Sequence, residues 1–204
     1  NSMSFCYWGN PKWGVQYNEA EYDGAQAMMA CLGRAIERGV SFNPTQLANL
    51  QRENLEEILR GNVEIPLLDD RLRILREVGA VTQRDFRGDF RYLVDQSQGN
   101  ALQLVDLLVG NFPSFKDSAF YKGDIVHFSK RAQLLASDLN YLLGGLDNVG
   151  RLTACADYKL PQVLRRHGIL KYSNELQRRI NVGEEIPAGS KEEVEIRAHT
   201  IHVV

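Results

Sequence analysis

Apolar residues recur every three or four positions along most of this 204-residue chain, the spacing that turns one face of an α-helix toward a core. From Ala20 to Arg38 the period is kept by Tyr22, Ala25, Met28, Met29, Leu32 and Ile36, and Gly39 stands where a helix C′ residue belongs. Asn43 can cap a second segment with Pro44 in its first turn, and Leu47, Leu50, Leu55, Ile58 and Leu59 carry the stripe to Gly61-Asn62. Beyond the Ile65-Pro66 break, Leu68, Leu72, Leu75, Val78 and Val81 form one face of an amphipathic surface helix. Arg71, Arg73, Arg76 and Glu77 fall on the other face, where solvent is expected.

The second half repeats the pattern in shorter pieces. Asn100 to Val109 and Ser129 to Leu143 read as helices, the latter with Ala132, Leu135, Ala136, Leu139, Leu142 and Leu143 on a broad apolar side before Gly144-Gly145 stops it. Pro161 to Arg166 and Ser173 to Ile180 predict short helices around a His167-Gly168 turn. Ser190 and Glu193 make a capping box ahead of Val194, Ile196 and Ile201, a segment that also admits a strand. Few segments alternate with period two, no heptad is sustained and no repeat of solenoid length is visible. The expectation is one all-α, irregularly helical domain over residues 1–204, with both ends reading as cut, since the chain opens on Asn1-Ser2-Met3 beside an aromatic cluster and stops on Ile201-His202-Val203-Val204.

Composition narrows the partners. A formal net charge of −2 lacks the positive field that holds a phosphate backbone by counterion release, so no stable nucleic-acid complex is expected. Cys6, Cys31 and Cys155 are odd in number and far apart, which suggests neither a disulfide framework nor a zinc site and fits a cytoplasmic protein. No apolar run reaches the roughly 20 residues of a membrane span, so no membrane partner is expected; oligomeric state is left open.

Three local features could carry chemistry. The segment from Phe5 to Gly14 gathers both tryptophans, Trp8 and Trp13, with the Gly and Pro of a loop; such rings could sandwich a planar base, or simply be core. Asp157 sits in an otherwise apolar Ala154-Cys155-Ala156 context just before a helix, where a carboxylate either caps the helix or stabilises a developing cation and positions an attacking water. Lys130-Arg131 opens a helix, and two cations at the positive end of a helix dipole are unfavourable unless an anion such as a phosphate joins them. Arg165-Arg166 and Arg178-Arg179 lie late in helices, where positive charge suits the dipole. His127, His199 and His202 have no Cys or acidic partner at ligand spacing, so no metal is expected. The phosphate loop, the nucleophile elbow and the dinucleotide fingerprint are all absent, which removes phosphoryl transfer, α/β-hydrolase chemistry and dinucleotide binding.

Four ordered motifs resemble the queuosine salvage protein family: Phe5-Cys6-Tyr7-Trp8 with Lys12-Trp13-Gly14; Ser129-Lys130-Arg131-Ala132-Gln133; Ala156-Asp157-Tyr158-Lys159-Leu160-Pro161-Gln162-Val163-Leu164; and Glu193-Val194-Glu195-Ile196-Arg197-Ala198. The resemblance implies hydrolysis of the N-glycosidic bond of queuosine 5′-monophosphate or queuosine, with release of queuine for tRNA modification, by an N-glycosyl hydrolase that needs no cofactor or metal. It also implies a helical fold distantly similar to helix-hairpin-helix DNA glycosylases. Carried over by motif, Asp157 is the expected catalytic residue and Lys130, with Arg131, the expected ribose-phosphate contact. Phe5, Trp8 and Trp13 are the expected lining of the base pocket, followed by Tyr158, Glu195 and Arg197. Ser4, where the family usually has Asn, and Ala25, where it commonly has an aromatic, depart from the pattern. A base glycosylase acting on nucleic acid and a non-catalytic queuosine or nucleotide carrier are the alternatives; turnover of the free nucleotide separates them.

Overall fold

The computed structural model describes residues 1–204, which form two compact units, 1–96 and 97–204. The first contains strands β1 (Gly14–Tyr17) and β2 (Ala20–Asp23), then helices α1 (Gly24–Glu37), α2 (Pro44–Ala48), α3 (Arg52–Ile58), α4 (Leu68–Asp85) and α5 (Phe90–Gln96). The second contains α6 (Ala101–Asn111), strands β3 (Ser118–Tyr121) and β4 (Asp124–His127), then α7 (Lys130–Leu142), α8 (Leu160–Arg166), α9 (Asn174–Asn181) and α10 (Lys191–Val203).

The all-α expectation is therefore corrected. About 53% of the chain is helical, but each unit also carries an antiparallel hairpin, which makes the protein mixed α/β. Both hairpins close through two residues that share positive φ, Asn18-Glu19 at 48° and 62° and Lys122-Gly123 at 51° and 100°. That is the primed-turn geometry whose twist matches a strand pair. Each strand has only four residues, too few for alternation to stand out, and Asn-Glu lacks the glycine that normally marks such a turn. The apolar period over Ala20–Asp23 thus belongs to β2, paired with β1 through Val15↔Tyr22 and Gln16↔Glu21, and the helix begins only at Gly24.

Elsewhere the periodicity finds its helices, except α5, a seven-residue helix with Leu93 as its one buried residue, which no apolar period predicts. The segment expected after Asn43 divides into α2 and α3 at Asn49-Leu50-Gln51, because the Asn49 side-chain amide turns back to the Thr45 carbonyl and the Arg76 Nε takes the Leu50 carbonyl at 2.7 Å. Asn43 does cap α2, its Oδ1 accepting the Gln46 amide. Gly79 lets α4 cross α2 closely, since a Cβ there would meet the Ala48 amide and the Pro44 carbonyl. Asn100 caps α6, Ser173 caps α9 and Ser190 caps α10. At α10 Glu193 accepts the amide of Gly189, one residue before the cap, while the Ser190 amide bonds to the Pro187 carbonyl; the terminal segment is a helix and not a strand. No helix is long and apolar enough to cross a membrane.

Each unit has its own core. In the first, Trp13, Leu55, Leu59, Ile65, Leu72, Leu75 and Phe86 are buried. In the second, Leu104, Leu108, Phe112, Phe115, Phe128, Leu164 and Val194 are buried, and α7 contributes Ala132 and Ala136. Those alanines let α7 pack closely on its neighbours. The leucines at its far end stay in water, Leu142 at 79% exposure, so the broad apolar side expected for this helix is used only over its first turns.

Candidate active site

Two of the four motifs meet at the start of α7. Lys130 is the first residue of that helix and Asp157 lies three residues before α8; Lys130 Nζ stands 3.5 Å from Asp157 Oδ2, both side chains mostly covered at 14% and 30% exposure. The other carboxylate oxygen, Oδ1, accepts the amides of Lys159 at 2.8 Å and Leu160 at 3.3 Å. The capping and functional readings of Asp157 are thus divided between its two oxygens. One is committed to the start of α8, and the other faces the Lys130 ammonium.

The segment that carries Asp157 is held to α7 by the amide of Gln133, whose Oε1 accepts the Thr153 amide at 2.7 Å while Nε2 donates to Thr153 Oγ1 and the Phe128 carbonyl, both at 2.9 Å. The start of α7 is capped from outside its own sequence. Ser129, with φ 50°, offers no side-chain cap, and Asp117 Oδ2 accepts the Lys130 amide at 3.0 Å. That carboxylate is one anion at the positive end of the helix, next to the two cations at which the sequence suggests a phosphate.

Asp117 also takes a two-point contact from Arg197 on α10, NH1 to Oδ1 at 2.8 Å and NH2 to Oδ2 at 2.5 Å. Arg197 lies 3.9 Å over the buried Phe128 ring, its Nε donates to the Ala156 carbonyl at 2.9 Å, and its NH1 reaches Glu193 at 3.3 Å. Burial pushes the Asp117 carboxyl up, but the hydrogen bonds and charge of Arg197, the Lys130 amide and nearby Arg131 outweigh it and hold the group below its ordinary value. Burial alone would lower Arg197; Asp117 and Glu193 raise it instead. Cys155, between the two motif residues, is pushed up by burial, which Lys130 only partly offsets, so its thiol stays protonated at neutral pH.

The remaining candidates are placed as follows. Arg131 donates to the Ser114 carbonyl and lies 5.6 Å over the Phe115 ring. Glu195 accepts from the Tyr121 hydroxyl at 2.5 Å, two residues along α10 from Arg197 and so on another side of the helix. Tyr158 is half-buried beside Asp157, with Lys159 Nζ 5.7 Å over its ring. The aromatic motif lies in the first unit. Trp8 is 47% exposed, whereas Trp13 has no exposed surface, donating Nε1 to the Leu59 carbonyl at 3.2 Å and stacking on Tyr7 at 6.2 Å between centroids. Phe5 lies under the Arg71 guanidinium at 4.4 Å. A cleft of about 730 Å³ in this unit is walled by Lys12, Trp13, Tyr22, Asp23, Arg34 and Asn62.

Sequence reasoning missed Asp117 and Gln133. Asp117 is a lone carboxylate in a loop 13 residues before Lys130, and nothing local announces that it meets α10. Gln133 stands in a quoted motif, but its use depends on a strand-like segment 20 residues away.

Comparison with known proteins bears on the same motifs. The profile of the queuosine salvage protein family matches residues 1–204. The chain is 48% identical over 207 residues to the queuosine 5′-phosphate N-glycosylase/hydrolase of Sphaerobacter thermophilus, a match covering 98% of this chain and 64% of that protein. It is 36% identical over 215 residues to the protein of the same name from Mus musculus and 34% identical over 215 residues to that from Bos taurus, covering all of this chain and 64% and 63% of theirs. The chain thus spans somewhat less than two thirds of the length of these relatives.

Proposed function

Because this chain belongs to the queuosine salvage protein family, we propose that it hydrolyses the N-glycosidic bond of queuosine 5′-monophosphate, releasing queuine. The observation that carries the reading is the Lys130–Asp157 pair at 3.5 Å, built from two separate motifs and with one carboxylate oxygen not committed to the backbone. The relatives' names supply the substrate class.

In the proposed reaction the bond between C1′ of the ribose and the glycosidic nitrogen breaks, its electron pair leaving with the base. Water adds its oxygen to C1′ and its proton ends on the base, giving queuine and ribose 5-phosphate. Queuine is a 7-deazapurine and has no N7 to protonate, so departure leans on stabilising the positive sugar. Asp157 Oδ2 is the group for that task, since a preorganised anion acts most strongly where charge develops and water is scarce. Its Oδ1 bonds to two amides hold the carboxylate in place so that little reorganisation is needed. Lys130 Nζ serves the phosphate end; when a phosphate takes this cation, Oδ2 is released toward the sugar. Localisation in the cytoplasm and absence of stable nucleic-acid partners belong to the same reading, which the net charge of −2 supports.

The test is incubation of queuosine 5′-monophosphate with the protein and with Asp157→Asn, following free queuine by liquid chromatography and mass spectrometry. Loss of one preorganised electrostatic partner lowers kcat by about 10²–10³-fold. Release by the parent and loss of at least that order in the variant is the expected result. Undiminished release by the variant would assign Asp157 to capping alone, the role its Oδ1 already performs. Binding without release by the parent would favour a carrier.

A further inference from the structure

We infer that Arg197 and Asp117 are positioning residues for this reaction rather than substrate contacts: as one unit they set the distance between Lys130 and Asp157. The inference rests on the proposed glycosidase reading and assigns to Arg197 a role different from the pocket lining expected from its motif.

A guanidinium has five donors in a fixed plane. Four contacts of Arg197 are to protein: two to Asp117, one to the Ala156 carbonyl and one to Glu193, with the face of the plane against Phe128. Its side chain is 15% exposed. Little of it is left to meet a ligand, whereas two of its partners, Asp117 and Ala156, lead to Lys130 and Asp157. Asp117 Oδ2, fixed by the guanidinium, accepts the amide of Lys130 itself and so sets where α7 begins. Ala156, whose carbonyl Nε holds, is the residue before Asp157. One planar group on α10 therefore clamps the backbone at both members of the pair, and its plane makes the two clamps rigid relative to each other. A lysine at 197 would keep the charge but not the fork, so only arginine can serve both arms. Glu193 and Phe128 set the plane: Glu193 shares its helix face four residues away, and Phe128 is the buried residue two before Lys130.

The role of a pair that works through others is read from how kcat and KM move. In the full chain, Arg197→Gln and Asp117→Asn should each lower kcat by about 10- to 100-fold, the scale on which misplacement by about 1 Å acts. The loss should appear with queuosine as well as with queuosine 5′-monophosphate, because misplacing Asp157 slows both, the double variant should lose no more than the worse single one, and Arg197→Lys should not restore the rate. A loss confined to the monophosphate, with KM rising, would make Arg197 a phosphate ligand and overturn the inference. So would a normal kcat per folded molecule with only a lower Tm. A crystal structure of Arg197→Gln decides the matter without turnover: a Lys130 Nζ to Asp157 Oδ2 distance kept at 3.5 Å in the variant overturns the positioning role, and separation or disorder of the pair supports it. A parent that releases no queuine would count against the glycosidase reading instead, leaving the structural comparison to judge the clamp.

Discussion

Each unit fastens its motif-bearing loop with an arginine that lies over an aromatic ring, yet the two anchors are made of different chemistry. In the first unit Arg71, with no exposed surface, donates to the carbonyls of Met3, Phe5, Cys6 and Pro66 at 2.6–3.0 Å and lies over Phe5. In the second, Arg197 holds one carbonyl and one carboxylate over Phe128. Carbonyls do not titrate and Asp117 does. The four carbonyl bonds of the first anchor are therefore the same whatever the pH, whereas the second ties geometry to a charge balance, beside a Lys130–Asp157 pair that itself depends on charge. A structural anchor can be built from dipoles alone; one next to a developing charge must also set the local field.

The largest expected effect falls on the first anchor. Arg71→Met should destabilise the protein by about 3 kcal/mol, because buried acceptors left without a donor cost about 1–3 kcal/mol each and partial relaxation prevents the full sum. Urea unfolding checks it, and the increment should be the same at pH 7 and pH 4. A loss below about 1 kcal/mol would mean that the loop is held by its own packing and the comparison fails.

Asp117→Asn should cost less, about 1–2 kcal/mol at pH 7, since the pair it breaks is only partly buried. The sign of its pH dependence separates the anchors. A carboxyl whose folded pKa is depressed contributes its stability in full above its ordinary value of 3.8 and loses it as pH falls through the folded value. The difference between parent and variant should therefore be constant from pH 7 to about 4.5 and shrink below pH 4, unlike that of Arg71→Met. Constancy down to pH 3 would show that Asp117 acts through shape and not through charge.

Smallest is Trp8→Ala. With half its surface already in water, the ring should contribute under about 0.5 kcal/mol to stability. Titration of the variant with queuine reads whether the exposed ring stacks on a planar base; stacking is worth about 1–3 kcal/mol per base, or roughly 5- to 150-fold in Kd.

Much of this molecule could be read along the chain. The stripe Leu68, Leu72, Leu75, Val78 predicts α4, and the oxygens of Asn43, Asn100, Ser173 and Ser190 cap the helices that follow them. Arg71 shows where such reading stops. By period it belongs to the solvent face with Arg73 and Arg76, but it lies buried because an N-terminal loop, some 65 residues away, covers that face and supplies carbonyls. The hairpins were hidden for a different reason, since strands of four residues do not outlast a helical period that happens to run through Tyr22.

The sequence by itself determined most of the helices, several of their caps, the weak net charge and the motifs that carry Lys130 and Asp157, because each of these is set by residues near one another along the chain. Only the tertiary structure decided that Asp157 Oδ2 faces Lys130, that Asp117 accepts the first amide of α7, and that Arg197 joins Ala156 to Asp117. Those facts depend on contacts between residues from 13 to 80 positions apart. Side-chain direction and burial across such separations arise from how the elements pack, and no local spacing encodes them.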